Sequence, residues 1–327
     1  MVLFKELGLS NTKKMFEIAL EKKFAIPGYN VSNLEQIQAV TIGCCETNSP
    51  VIFQINPRSL KYANATILRY LGKGITEMVK ELGYEIPITL HLDHGTSFDL
   101  CKSCIENGFS SVMIDGSHLN YEENISITRQ VVNFARERDV SVEAELGVVS
   151  RPDSKQKRNN PQFTDPLKVE DFVNRTECDS LAIAIGTFHG AYKFKVKDES
   201  EIPELRFDIL QEIRKILGKF PIVLHGASSV LKQSIDLINT YGGAIKKAFG
   251  VPEYQLKKAT KYGVCKINIA TDSRLLFTSM VRKHLFEHPD HFDPRQYLGL
   301  ARQKLIEMVK RKNKEVLGSN DQAKYII

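Results

Sequence analysis

Nowhere in its 327 residues does the sequence approach the ~20 consecutive apolar residues that cross a bilayer. The opening Met1-Val-Leu-Phe-Lys-Glu-Leu-Gly8 lacks the apolar stretch of a secretory signal, so a cytoplasmic location is expected. The glycosylation-type triplets at Asn64, Asn124 and Asn174 then meet no machinery that reads them. Cys101-Lys-Ser-Cys104 and Cys44-Cys45 lack the second ligand pair of a zinc ribbon, and the six cysteines read as buried, reduced thiols. The net charge of +6 is scattered and comes without the aromatic-basic motif of an RNA-binding sheet. Such a bias suits a small polyanionic substrate, with no nucleic acid or membrane as partner. No Gly-x-Gly-x-x-Gly turn follows the first strand, which disfavours a doubly wound dinucleotide fold. No linker or long-period repeat divides the chain, and residues 1–327 are expected to form one domain.

What is present is alternation. Short apolar runs begin near Phe24, Pro50, Pro87, Ser110, Ser141, Ser180, Pro221 and Cys265. Between most of them lie segments of helical periodicity: Leu34 to Thr47, Thr66 to Leu82, Phe98 to Asn107, Glu122 to Arg138, Lys168 to Asn174, Leu205 to Leu217 and Asp272 to His288. Eight strands alternating with helices predict an α/β fold, a parallel (β/α)8 TIM barrel. Thr12 to Lys22 is expected as an extra N-terminal helix across the barrel bottom, and Arg295 to Lys314 as a long C-terminal helix.

In such a barrel the chemistry sits where the strands end. His94 closes Ile88-Thr-Leu-His-Leu-Asp-His94, His189 follows Leu181-Ala-Ile-Ala-Ile-Gly-Thr-Phe, and His225 ends Pro221-Ile-Val-Leu-His225. One histidine in that position is most often simply hydrogen-bonded, but three in the same context read as ligands of one ion with an open position. Asn30, Asp93, Asp115, Glu145, Ser228 and Asn268 share these exits, where polar groups are costly unless they bind something. Asp115 and Asn268 are equally readable as structural hydrogen-bonders. Asp93 and His94 are adjacent, so the strand end must twist for both to reach the mouth.

The stretches Leu90-His-Leu-Asp-His-Gly95, Ser111-Val-Met-Ile-Asp-Gly-Ser-His118, Ser141-Val-Glu-Ala-Glu-Leu-Gly147, Ile185-Gly-Thr-Phe-His-Gly-Ala-Tyr-Lys193, Val223-Leu-His-Gly-Ala-Ser-Ser229, Val264-Cys-Lys-Ile-Asn-Ile-Ala-Thr-Asp272 and Phe292-Asp-Pro-Arg295 cover nearly the whole chain. In this order they resemble the class II, metal-dependent fructose-bisphosphate aldolases and their tagatose-bisphosphate relatives. The resemblance implies a catalytic Zn2+ on His94, His189 and His225, with Glu145 and Asp115 near the position the metal takes when displaced from the mouth. Asp93 would move the proton at the C4 hydroxyl. One phosphate would sit against Gly190, Lys193, Gly226, Ser228, Asn268 and Thr271, with a monovalent cation close by, and the far phosphate against Arg274 or Arg295. Asn30 would also touch substrate. A homodimer or a dimer of dimers is implied, with such an arginine able to reach across the interface.

The sequence departs from the family's pattern in three places. Where relatives carry a Gly-Gly loop and a glutamate that moves a proton at C3, this chain has Val148-Val-Ser-Arg-Pro-Asp-Ser-Lys155, which leaves Asp153 as the candidate catalytic base or as an ordinary loop aspartate. Gln54-Ile-Asn-Pro-Arg-Ser-Leu60 brings Pro57 and Arg58 to a place where relatives are small. Ala270 stands where many fructose-bisphosphate enzymes have Asp or Asn and tagatose-type members have Ala. The leading expectation is cleavage of fructose 1,6-bisphosphate; the alternatives are tagatose 1,6-bisphosphate, or a metal-binding barrel with impaired catalysis.

Overall fold

Each apolar run pairs in parallel with its neighbour. The strands are β1 (Ile26–Asn30), β2 (Val51–Ile55), β3 (Ile88–Gly95), β4 (Ser111–Ile114), β5 (Ser141–Leu146), β6 (Ser180–Ile183), β7 (Ile222–Leu224) and β8 (Val264–Ile269). They pair in chain order, and β8 returns to β1 to close an eight-stranded barrel. This computed structural model describes residues 1–149, 163–194 and 196–327.

Twelve α-helices accompany the strands among the described residues. Lys13–Lys22 (α1) precedes β1 and packs on β1 and β8, as expected of the extra N-terminal helix. The outer ring contains α2 (Leu34–Glu46), α3 (Pro57–Ala63), α4 (Ala65–Glu81), α5 (Phe98–Glu106), α6 (Tyr121–Arg136), α7 (Pro166–Thr176), α8 (Phe207–Leu217), α9 (Lys232–Thr240), α10 (Glu253–Lys261) and α11 (Thr271–Glu287). The long C-terminal helix α12 (Pro294–Arg311) packs on α2 and α11 and passes into a π-helical turn, Lys312–Leu317.

Local chemistry sets many of these boundaries. Asn120 and Glu123 form a reciprocal capping box at the start of α6. Ser97 and Asn33 cap α5 and α2 through single side-chain acceptors. Proline begins α3, α7 and α12, where its missing N–H costs nothing. The helix α3 was absent from the sequence expectation although Asn56-Pro57 carries its signal, with the Asn56 side chain accepting from Ser59 N. The short α9 and α10 were also missed; neither has a side-chain cap to mark its start.

Two layers separate by side-chain alternation. Leu90, Leu92, Val112, Ile114, Val142, Ala144 and Ile267 are buried in the main apolar core, together with Ile125, Val131 and Ala135 of α6. Each such Val, Leu or Ile contributes roughly 1.5–3 kcal/mol when fully buried. The alternate positions, His91 and Asp93, Glu143 and Glu145, Lys266 and Asn268, instead bond across the barrel to strands that are not their neighbours. The barrel interior below the mouth is therefore a buried polar network.

The end of β3 breaks the strand pattern. His94 has φ 55°, and the register against β4 shifts between Leu92 and Gly95. A side chain at Gly95 would place Cβ 2.5 Å from the Met113 carbonyl oxygen, so only glycine permits this close approach. The expected twist is thus a left-handed residue followed by glycine, and it turns Asp93 and His94 into the same mouth.

Candidate active site

A cavity of about 890 Å³ opens at the C-terminal ends of the strands. Asp93 is held there by two amides: Asn30 Nδ2 donates to Oδ2 at 2.7 Å and Asn268 Nδ2 to Oδ1 at 3.3 Å. Gln54 Nε2 donates to Asn30 Oδ1 at 3.0 Å and fixes that amide in turn. Burial pushes the Asp93 carboxyl up, but the charges of His94, His225 and Lys266 and the Asn30 hydrogen bond outweigh it and hold the group down at about 2. At neutral pH Asp93 is a carboxylate.

The three strand-end histidines converge. The His94 ring centre lies 4.8 Å from that of His189 and 4.8 Å from that of His225, while His189 and His225 are 6.4 Å apart. His94 Nδ1 bonds Asp115 Oδ2 at 2.8 Å, and Asp115 in turn accepts from Ser117 N and Oγ. A carboxylate on the far nitrogen orients an imidazole for a metal on the other one. His94 Nε2 is buried and has no hydrogen-bond partner among the described residues. His189 is kept neutral, first by burial and then by the neighbouring His94 and His225.

His225 lies fully buried beneath the cavity floor. Its Nδ1 is 2.8 Å from Glu145 Oε2 and its Nε2 2.7 Å from Glu143 Oε1. Burial lowers its proton affinity, but these two carboxylates more than reverse that and raise it to about 10. Lys266 Nζ donates to both Glu143 oxygens, at 2.8 and 3.1 Å, and to His91 Nε2 at 3.3 Å. His91, which burial and Lys266 lower to about 3, is neutral and passes its Nδ1 proton toward Ser111 Oγ at 2.8 Å.

This chain of buried charges was not read from the sequence, although Glu143-x-Glu145, His91-x-Asp93 and Lys266-x-Asn268 carry the two-residue period that puts both members on one strand face. Removing one partner leaves a buried charge uncompensated. Lys266→Met is accordingly expected to lower stability by roughly 3–5 kcal/mol, as read from denaturant unfolding of the metal-free protein. A midpoint equal to the parent's would mean that Glu143 finds its compensation elsewhere.

The donor set fits a divalent ion. Ligand atoms of Asp93, His94 and His225 all lie within 4.8 Å of one another, as do those of His94, Asp115 and Glu145. The two groups share His94.

On the other side of the cavity two loops approach closely. Gly226 has φ 61°, and a Cβ there would stand 2.8 Å from the Phe188 carbonyl, so glycine is required where the loops after β6 and β7 touch. Gly190 and Lys193 line the cavity from the first loop, Gly226 and Ser228 from the second, and Thr271 and Arg274 from the start of α11. Ser228 Oγ accepts from the backbone N–H groups of Ala270 and Thr271, at 3.0 and 3.1 Å. Its hydroxyl therefore braces the helix start. Lys193 donates to the Phe188 carbonyl and is lowered by burial to about 7, which makes it the cation that an incoming anion would stabilise. Asp272 accepts from Ser229 N, Val230 N and the fully buried Lys312 Nζ, the last at 2.6 Å, and locks the second loop to α11.

Two sequence candidates are not brought together with the rest. Asp153 lies outside the described residues. Arg295 does not line the cavity: it is the second residue of α12, its side chain is 91% exposed, and its guanidinium forks onto the helix-capping Asp293. Of the two arginines assigned to the far phosphate, only Arg274 faces the cavity within the chain. Pro57 and Arg58 also line the mouth.

The family model for fructose-bisphosphate aldolase class-II matches residues 10–322. The chain belongs to the class II fructose-bisphosphate aldolase family. It is 50% identical over 332 residues to a fructose-bisphosphate aldolase of Treponema pallidum, covering 99% of this chain and 100% of that one. It is 44% identical over 303 residues to a fructose-bisphosphate aldolase of Giardia intestinalis, covering 93% and 91%. The crystal structure of the YdjI aldolase from Escherichia coli K12 superposes with a TM-score of 0.75 at 28% identity, over 96% of this chain and 99% of that chain. As a class II aldolase the protein is a carbon–carbon lyase of a generally metal-dependent family, and its histidine and carboxylate groups form a cluster able to hold a metal ion.

Proposed function

We propose that the protein catalyses the reversible, zinc-dependent cleavage of fructose 1,6-bisphosphate to dihydroxyacetone phosphate and glyceraldehyde 3-phosphate. The observation that carries this reading is the meeting of His94, His189 and His225 beside an ionised Asp93 in a cavity with a built anion cradle. Imidazole ligands suit Zn2+. Held by the three histidines, it would supply a Lewis acid for the charge that develops as the C3–C4 bond breaks.

The chain's own groups account for the rest. Asp93, aligned by Asn30 and Asn268, accepts the C4 hydroxyl proton in cleavage and returns it in condensation. Lys193 and the backbone around Gly190 and Gly226 receive one phosphate, and Arg274 the other, fixing the distance between them. Loss of cleavage on chelation and its return with Zn2+, in a coupled assay, tests the proposal; undiminished turnover in metal-stripped protein overturns it.

Metal uptake should depend on pH in a stated direction. Without metal, His225 carries a proton between Glu143 and Glu145 up to about 10, well above the ordinary histidine value. That raised affinity stabilises the metal-free fold fully below an unfolded value of about 6.5 and fades as pH rises through about 10. Ligation has to displace this proton, so apparent Zn2+ affinity is expected to rise with pH by up to about tenfold per unit over the neutral range. A pH-independent affinity in equilibrium dialysis would show that His225 is not a ligand.

Ala270 lines the cavity and gives α11 no side-chain cap. This favours a second reading for the sugar, with tagatose 1,6-bisphosphate turned over alongside fructose 1,6-bisphosphate. One missing hydroxyl contact is worth about 1–3 kcal/mol, so the two specificity constants should lie within about 10² of each other, and Ala270→Asp should widen the gap. A parent that already discriminates by several further powers of ten selects its sugar elsewhere.

A further inference from the structure

A second group of histidines lies far from the cavity. Helix α11 starts at Thr271 in the cavity wall and runs 17 residues, which carries its end roughly 25 Å away. There His284 and His288 occupy successive turns and His291 follows in the bend toward α12. Backbone bonds from His288 N to His284 O, 2.8 Å, and from His291 N to His288 O, 3.1 Å, fold the three together. Their ring centres are 4.9, 5.2 and 4.8 Å apart.

We propose that His284, His288 and His291 form a second metal site, for a borderline transition ion such as Zn2+, Ni2+ or Cu2+. In a tetrahedral site with metal–nitrogen bonds of about 2.0–2.1 Å, two ligating nitrogens stand about 3.3 Å apart and the ring centres about 5.2 Å apart. His284 Nε2 and His291 Nδ1 are already 3.0 Å apart, and the ring centres match the spacing to within a few tenths of an ångström. The His288 ring stacks on His291 at 13°. It must turn to present a nitrogen, and its exposed position leaves room to do so.

The surroundings favour an ion over protons. Three imidazolium groups at this spacing would repel, and the two neighbours lower His284 in addition to its desolvation. Of the nearby carboxylates, Glu287 bonds the Tyr241 hydroxyl at 3.0 Å and Asp293 bonds Arg295, while Asp290 stands between His288 and His291 in the bend. A donor set led by three imidazoles disfavours Mg2+ and Ca2+, which take oxygen ligands, and selects ions that prefer nitrogen. Bound there, the ion ties the end of α11 to the bend that leads into α12, without entering the chemistry at the cavity.

Titration of the chelator-stripped protein with Co2+, followed by visible absorption and checked by elemental analysis with Zn2+, separates the two sites. The parent should bind two ions per chain, His284→Ala/His291→Ala one with the parent's cleavage rate, and His94→Ala/His225→Ala one. Amide exchange across residues 284 to 293 should slow on addition of metal in the parent and in the His94→Ala/His225→Ala protein, and stay fast in the His284→Ala/His291→Ala protein. A His284→Ala/His291→Ala protein with the parent's stoichiometry and metal-slowed exchange overturns the site, as does a parent that binds a single ion lost with His94 and His225. The latter result would leave the reading of the cavity intact.

Discussion

With Asp93→Asn, the turnover rate for cleavage is expected to fall by about 10²-fold or more while bound metal stays at one ion in the cavity. The substitution keeps the size of the side chain and its ability to accept from Asn30 or Asn268, so the amide cradle persists. What it removes is the ionised carboxylate, the titratable group assigned to the C4 hydroxyl proton. Since the loss falls on a proton transfer, KM should move little compared with kcat. Turnover within a few-fold of the parent at unchanged metal content would pass the proton transfer to another group.

Removing His94 should have the largest effect. Its Nε2 is the buried, unpartnered nitrogen of the cavity, and it belongs to both groups of ligand atoms that can hold an ion. Loss of Lewis-acid stabilisation is worth several kcal/mol of barrier, so His94→Ala is expected to lower cleavage by about 10³-fold or more together with the cavity metal. Because His94 sits at φ 55°, alanine adds backbone strain that must be separated from lost ligation. His94→Asn provides the separation, as asparagine tolerates this conformation well. Both variants should lose metal and activity, whereas only the alanine variant should lose additional stability; full metal content in the asparagine protein would remove His94 from the site.

The eight strands were legible because each is a short apolar run with a polar residue at its exit, a pattern local enough to read along the chain. The same locality exposed Asp93, His94, His189 and His225, and adjacency at positions 93 and 94 was enough to predict the twist that φ at His94 delivers. What stayed hidden depends on closure. Lys266 meets Glu143 across 123 positions and His91 across 175, contacts that exist only when β8 returns beside β1. Ser228 lines the cavity, but its hydroxyl braces the N-terminus of α11, a use visible only once two loops are side by side. Arg295, offered by the resemblance as the alternative to Arg274 and as able to reach across an interface, is forked within this chain onto the capping aspartate two residues earlier.

The buried Lys312 has a consequence for the order in which competence is acquired during synthesis. All eight strands are complete by Ile269, so the barrel can close around its polar interior while residues beyond 311 are still to be added. Asp272, which fastens the loop carrying Ser228 and Ser229, has by then yet to receive the ammonium that balances it. A chain interrupted before Lys312 would leave Asp272 unbalanced and would also lack Val316, Leu317, Ala323 and Ile326 from the core around β1. The last residues of the chain therefore complete both the barrel's packing and the charge balance of the loop that carries Ser228.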